Sequence, residues 1–495
     1  MFRSHRYRQL RFFRPFHLTL AQVVLVLVMA TSARLGSTQT IPVSAARPWR
    51  GTQELQIEYS AKHPVEPRFN LDPDKVYSLP ELIDLAESHN PQTCVAWERA
   101  RSQLAALGVA RSELYPTIGA IALSQTTRSQ AFFGDRFYRQ TGQEFEGALE
   151  LNYTILDFGA RAGRIAAARA QLLAANFAFN DTHRKLIYQV EQAYYGLLNA
   201  LGQDQAARAN LVNARTAQQA AEDRLSNGLA TLPDVLEARS ATAQAEYDLE
   251  AVLGAQEIAR GDLAIAVGMP ATIAIRVQPL NEIPTPESIG DTVDQAIDRA
   301  LQHRPDLMQQ VAEVRAASAS IKEARAAYYP TLNFTARPAV QSLYGLQQTF
   351  SWAHTADLTG GVTLNLSWTV FDGGARKNRL AQAEANKREA EAQVSATRNE
   401  VRDEIWTAYS NLKTALRQRQ SAIALLAAAN QSYDATLESY KYGVRNFLDV
   451  TAAQRVLSQA RSTDVLARTQ VLNAVANLAS RTGDAIQSHA GSARP

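Results

Sequence analysis

The stretch TILDFGARAGRIA (154–166) recurs as TVFDGGARKNRLA (369–381). Both copies pass from an alternating apolar pattern, through an aspartate and a glycine, into an alanine-rich helical pattern. The offset of 215 positions also relates Gly228 to Gly443 and Asp234 to Asp449. Upstream the offset is 214, where IDLAESHNP (83–91) answers IDRALQHRP (297–305) and GVARSELYPTI (108–118) answers KEARAAYYPTL (322–332). A single register that slips once marks an internal duplication.

Each half predicts the same order of elements. A helix opens at Pro91 or Pro305, where a missing N–H costs little. It ends before Tyr115–Pro116 or Tyr329–Pro330, because the residue preceding proline avoids the helical region. Two strands follow, then a long helix from Ala160 or Ala375 to the glycine turn. A return helix runs from about Pro233 to Val267, or from Asp449 to Thr482. The first long helix, 160–226, would reach about 100 Å at ~1.5 Å per residue. Its return partner is half as long, and 305–327 is expected to supply the remainder. Ile187, Val190, Tyr194, Leu197 and Leu201 step by threes and fours as a heptad seam. Ala238, Ala241 and Ala245 allow close helix contact.

The strands alternate with period two. Phe145, Gly147, Leu149, Leu151, Tyr153 and Ile155 oppose Glu144, Glu146, Ala148, Glu150, Asn152 and Thr154. Val362, Leu364, Leu366, Trp368 and Val370 form a second apolar set, and Leu332, Phe334, Ala336 and Val340 a third, weakened by Pro338. The fourth strand, 116–124, has the vaguest pattern. Strands of about ten residues are the length a membrane barrel uses. Polar loops are expected at 128–143 and 342–357. Tyr115, Tyr153, Phe158, Tyr328, Tyr329, Trp368 and Phe371 supply aromatics at strand ends. Four strands cannot close on themselves, since membrane barrels have about eight or more, and open edges are not tolerated in hydrocarbon. The expected barrel is therefore shared between two, three or four chains.

Composition narrows the function classes. The 495 residues are 46% hydrophobic and 20% charged, with a formal net charge of +3. Five arginines and no acid stand in residues 1–33, so the remainder is slightly acidic and offers no basic face for nucleic acid. Those residues resemble a signal peptide, with a basic start, the apolar run LTLAQVVLVLVMA (18–30) and a small-residue end. No later segment is apolar enough to span a membrane as a helix. Residues 34–75 are expected to form an N-terminal periplasmic extension, 76–280 and 281–485 the two repeats, and 486–495 a tail. The single cysteine, Cys94, lies far from the signal region, which excludes a disulfide framework and lipid anchoring through an N-terminal cysteine. Asp157-Phe158-Gly159 spells a kinase triplet without the other kinase motifs. GARAGR (159–164) lacks the lysine of a phosphate loop. The eight histidines show no metal-ligand spacing. No enzyme, cofactor or metal is expected.

The two Tyr-Pro junctions, the LDFGARAGR and FDGGARKNR junctions and the two glycine turns, in this order and repeated, resemble the TolC-like outer-membrane efflux protein family from Leu79 to Gly483. The resemblance implies a mainly α chain with a membrane β-barrel. Three copies would form a homotrimer with a 12-stranded barrel in the outer membrane of a Gram-negative-type bacterium. Below it a 12-helix tunnel would cross the periplasm to a periplasmic adaptor and an inner-membrane transporter. The implied function is the passive exit duct of a tripartite efflux pump. Alternatives are a type I protein secretion duct of the same family or an exported soluble coiled-coil scaffold, which would leave the alternating strands unexplained. In the family's second turn, Y-x-x-G-x-R-x-x-x-D-V, a gate is implied at Tyr440, Arg445 and Asp449, with Gly443 and Val450 completing the pattern and Asp234 as the first-turn partner. Ala452 stands where a second acid can occur, so any acidic entrance ring rests on Asp449. Pro233 replaces a hydroxyl residue. Adaptor docking is implied at Leu225, Ser226, Asn227, Gly228 and Leu229 and at Tyr442, Gly443 and Val444. Thr231-x-x-Asp234 and Asn446-x-x-Asp449 also have helix-capping spacing, and the two roles are compatible.

Overall fold

Asp157 and Asp372 convert strand into helix by the same bonds. Asp157 accepts from the backbone N–H of Gly159 (3.2 Å) and Arg161 (2.8 Å), and Asp372 from those of Gly374 (3.1 Å) and Arg376 (2.9 Å). Each arginine returns its Nε to the same carboxylate and a terminal nitrogen to the carbonyl two residues before that aspartate, Ile155 O or Val370 O. Gly159 and Gly374 adopt the positive φ that the corner requires, 99° and 86°. The recurring D-x-G-A-R is thus a strand-to-helix hinge.

A computed structural model describes residues 72, 74–290, 292–347 and 350–484. The chain divides into two units, Met1–Phe69 and Asn70–Pro495, and the described residues belong to the second. The expected signal peptide, the tail and all but the last few residues of the extension lie outside them.

The elements are β1 (Val76–Tyr77), α1 (Leu79–His89), α2 (Pro91–Ser112), β2 (Thr117–Phe133), β3 (Arg136–Leu156), α3 (Ala160–Ser226) and α4 (Leu232–Val267). The second half gives β4 (Arg276–Val277), a 3-10 turn (Leu280–Glu282), α5 (Val293–His303), α6 (Pro305–Ala326), β5 (Thr331–Gln347), β6 (Phe350–Ser367), α7 (Ala375–Lys441) and α8 (Phe447–Thr482). No described helix is long and apolar enough to cross a membrane.

The strands run 17, 21, 17 and 18 residues in one antiparallel sheet of order β2-β3-β5-β6. This corrects the expectation of ten-residue strands joined by polar loops. Residues 128–133 and 136–143 are hydrogen-bonded hairpin, and the described part of 342–357 is likewise strand. The polar ends carry no apolar alternation, yet their backbone groups pair as well as those below. Pro338 does disturb β5: the ladder to β3 skips the positions between Ala339 and Ala336. The opposite neighbour survives because Gly360 lets the backbones approach; a Cβ there would lie 2.9 Å from Pro338 Cα.

The register assigns the two faces. Leu151, Leu149 and Phe145 share one face with Ile118, Ala120, Ala336, Val340, Leu358, Val362 and Leu364. Glu144, Glu146, Glu150 and Asn152 share the other with Gln125, Thr335, Arg337, Gln341, Thr363 and Asp357. Arg337 is paired to Glu146 at 2.6 Å, and Gln341 donates to Glu144 at 2.6 Å.

Below the sheet, α3 packs on α2, α4, α6 and α8. Ile187, Val190, Tyr194 and Leu197 are buried as the heptad predicted, whereas Leu201 is only half-buried. Two short helices extend the return helices end to end. Gly268, closing α4, fits against Asn90 at the start of α2, where a Cβ would meet Asn90 Cα at 2.9 Å. Gly483, closing α8, sits against His303 and Arg304 at the start of α6. The segment that completes α4 is therefore α2, and 305–326 completes α8, a correction to the expected pairing. At this second junction Arg304, 3% exposed, binds Asp306 and Glu404, and Arg481 reaches Glu404 at 2.5 Å.

One buried carboxyl has no such partner. Glu191 Oε2 on α3 is enclosed without a hydrogen-bond partner among the described residues, and burial pushes the group up to about 7. A carboxyl raised in the folded state stabilises below its ordinary range and loses that contribution as pH rises through the folded value. The difference is worth about 3 kcal/mol at most. Glu191→Gln should therefore raise the melting temperature at pH 8 and leave it nearly unchanged at pH 5, as followed by thermal unfolding at both pH values.

Candidate functional site

The two glycine turns close the far ends of the long helices with one motif. Gly228 donates to Leu225 O (2.9 Å) and Leu229 to Arg224 O (2.8 Å); Gly443 donates to Tyr440 O (2.9 Å) and Val444 to Ser439 O (2.9 Å). Gly228 and Gly443 have φ of 70° and 80°, the left-handed conformation that ends a helix and favours glycine. Ser226 Oγ and Asn227 Nδ2 both donate to Asp223 O at 2.8 Å, joining the Asn227 N–H (3.3 Å) on that last-turn carbonyl.

The return helices start with caps. Asp234 Oδ2 accepts from Thr231 N (2.9 Å) and Thr231 Oγ1 (2.8 Å). Asn446 Oδ1 accepts from Asp449 N (2.9 Å), which leaves the Asp449 carboxylate facing Arg445 at 3.6 Å. Both sides of this last pair are well exposed. Capping is therefore present at both aspartates.

Tyr440 is not exposed with its neighbours. It is 3% exposed, edge-on to Phe447 at 5.5 Å, in a core with Ala221, Val235, Leu437 and Val450. Its hydroxyl is buried without a hydrogen-bond partner among the described residues. Burial raises its phenol, and Asp234 adds to the rise while the Arg224 charge opposes it. Around this core the tips are apolar and open. Tyr442 is 83% exposed and Val444 78%, with Leu229, Leu232 and Leu448 also exposed. Leu225 is partly buried against the core.

The structure adds Arg224, which sequence reasoning missed. Its guanidinium crosses between turns, donating to Tyr440 O (3.0 Å), Lys441 O (3.0 Å) and Leu229 O (3.1 Å), and lies 4.9 Å from the Tyr440 ring centre. A fork of donors suits three carbonyls in a way an ammonium does not. The duplication gave no hint of it, because the equivalent residue in the second half is Ser439.

The model of a family described as "Outer membrane efflux protein" matches residues 82–269 and 296–484, once in each half. The chain belongs to the outer membrane efflux protein family. Protein CyaE of Bordetella pertussis is 28% identical over 410 residues, covering 82% of this chain and 84% of CyaE. Outer membrane protein OprJ of Pseudomonas aeruginosa is 27% identical over 385 residues, covering 76% and 78%. The solved structure of the outer-membrane channel OprN superposes with a TM-score of 0.72 at 20% identity, covering 83% of this chain and 93% of that one. As an outer membrane efflux protein the chain is an outer-membrane protein, and the apolar face of its sheet is the surface that such a location needs.

Proposed function

We propose that this efflux-family chain is one third of a passive exit duct, conducting substrates delivered by an inner-membrane transporter and a periplasmic adaptor. The observation that carries the reading is the sheet: four strands, one apolar face, one polar face, and two edges, β2 and β6, unpaired among the described residues. Three copies joined edge to edge give twelve strands, within the range that membrane barrels use. The apolar face then meets lipid, and the acids of β3 line the lumen. Beneath it, α3 and α7 of 67 residues each reach about 100 Å. With α4 and α8, extended by α2 and α6, they supply four helical rods per copy and twelve in the trimer.

In this reading the glycine turns are the periplasmic end. Asp234, Tyr440, Arg445 and Asp449 form the gate, and the exposed Leu229, Tyr442 and Val444 around the two glycines receive the adaptor. Arg445 and Asp449 are weakly held within one chain, as exposed pairs are at ~0–1 kcal/mol, and so are available to exchange partners across the constriction. The test is single-channel recording from the purified full-length protein in planar bilayers. Discrete, long-lived steps are expected. Well-folded protein that never inserts would contradict the barrel and favour a soluble scaffold.

A further inference from the structure

The two halves correspond position by position. α3 and α7 have 67 residues each, α4 and α8 have 36, and α2 and α6 have 22. Their hairpins share one register, Thr117 pairing with Asn152 as Thr331 pairs with Ser367. The rods stand in the order α2/α4, α3, α6/α8, α7: α3 packs on both composite rods, whereas α7 packs on α6 and α8 and has no comparable contact with α2 or α4. One face of α3 is thus covered by α6/α8. The corresponding face of α7 lies open at one end of the row, and the corresponding face of α2/α4 at the other, just as β6 and β2 end the sheet.

The open faces differ in chemistry from their covered counterparts. On α8, Ser480 and Ser462 each give their carbonyl to α3, to Arg184 Nη1 (3.1 Å) and Gln203 Nε2 (3.0 Å). Their counterparts on α4 are Ile265 and Tyr247, 60% and 73% exposed. Asn210 on α3 donates to Ser458 on α8 at 2.8 Å; the counterparts Leu425 on α7 and Ala243 on α4 are both exposed. Apolar side chains aligned on an open face call for a protein neighbour, and the covered face of α3 shows which neighbour fits. α7 of one copy stands to α2/α4 of the next as α3 stands to α6/α8.

Charge supports the same register. Gly202 on α3 meets Val465 on α8 so closely that a Cβ on the glycine would lie 2.6 Å from Val465 Cγ1. The counterparts are Arg417 on α7 and Glu250 on α4. Both are exposed, and neither forms an ion pair among the described residues. The crowding at Gly202 comes from a branched side chain, and a glutamate, with one Cγ, can turn aside where valine cannot. We propose that the interface between copies repeats the contact between halves in this register, with Arg417 of one copy paired to Glu250 of the next. The sheet agrees. Leu151 opposite Ala336 within the chain puts Leu366 opposite Ala122 of the next copy. Both belong to the apolar face, and a slip of one residue would set apolar against polar. The proposal rests on the exit-duct reading above and names the faces that close it.

The test uses the full-length protein with Cys94→Ser as background. Oxidation of Glu250→Cys/Arg417→Cys should link copies into a covalent trimer that survives denaturation and returns to single chains on reduction. Glu257→Cys/Arg417→Cys, displaced by two helical turns or about 10 Å, should link several-fold less. Single-channel steps and melting temperatures matching the background establish that each variant is folded. Equal linking by the displaced pair overturns the register, as does no link from the predicted pair in particles that native mass spectrometry still counts as three chains; either result leaves the duct standing. One chain per particle in the background protein overturns the duct reading and this proposal together. Charge reversal tests the ion pair. Arg417→Glu or Glu250→Arg alone should lower the fraction of trimer surviving dilution several-fold, and the two together should recover most of it. A double reversal that recovers nothing overturns the pair.

Discussion

Tyr440→Phe combined with Arg445→Ser enlarges the single-channel steps of the purified protein while its melting temperature stays nearly constant. The two expectations follow from different parts of the same geometry. Among the described residues the Arg445 side chain pairs with Asp449, at 3.6 Å and largely exposed, and such a pair contributes ~0–1 kcal/mol. The Tyr440 hydroxyl has no hydrogen-bond partner among the described residues, so its removal costs the isolated tip no hydrogen bond. Stability is thus insensitive to both changes. Conductance is sensitive because Arg445 is exposed to find partners across the narrow end of the assembled duct, where threefold repetition adds weak locks together, while Tyr440, enclosed in its own tip, acts through the shape of that tip. Arg224→Gln behaves in the opposite way. It withdraws three hydrogen bonds to carbonyls of both turns and removes the cation stacked on Tyr440, so melting falls as the tips loosen. Steps of equal size in the double variant and wild type would reduce Tyr440 and Arg445 to packing and capping roles.

Arg304→Ala should cost about 3–5 kcal/mol, the range for removing one partner of a buried ion pair. Arg304 lies where the start of α6 meets the end of α8, enclosed by Asp306 and Glu404. Burial pushes the Asp306 carboxyl up, and Arg304 more than offsets this, holding it below the usual carboxylate range. Without the guanidinium, burial is opposed only by the Arg184 charge and the Leu307 N–H bond, so the Asp306 carboxyl moves up from its wild-type position. A carboxyl held low in the folded state adds stability above its unfolded range and loses it as pH falls through the folded value. Wild type should therefore lose melting temperature at this site as pH falls from 5 toward 3, and the variant should lose less. Thermal unfolding over that range checks both signs. A variant that melts like wild type at pH 7 would show that the junction is held by packing alone.

The duplication made much of this architecture legible from sequence. Helix starts at Pro91 and Pro305, hinges at Asp157 and Asp372, and tips at Gly228 and Gly443 are all set by local chemistry that two copies repeat. What stayed hidden depends on neighbours distant in the chain or on the solvent. The hairpin ends carry no apolar alternation, so 128–143 gave no strand signal although every position but the turn residues Gly134 and Asp135 pairs. Phe145 meets Tyr344 at 6.2 Å and Tyr344 meets His354 at 4.2 Å across the β3–β5 and β5–β6 ladders, which no local pattern specifies. Arg224 and Arg304 have Ser439 and Asn90 as repeat counterparts, so self-comparison passes over both. At the first junction Asn90 satisfies the equivalent place with neutral bonds, accepting from Gln92 N and donating to Ala266 O. The halves share a fold and differ in charge where they are joined.

The edge-to-edge closure of β2 and β6 is the central claim, and the most direct measurement is the number of chains in a conducting particle. Protein released from vesicles that give discrete steps is weighed by native mass spectrometry. Three chains per particle is the predicted result. A single-chain mass, from preparations with the same steps, would contradict it.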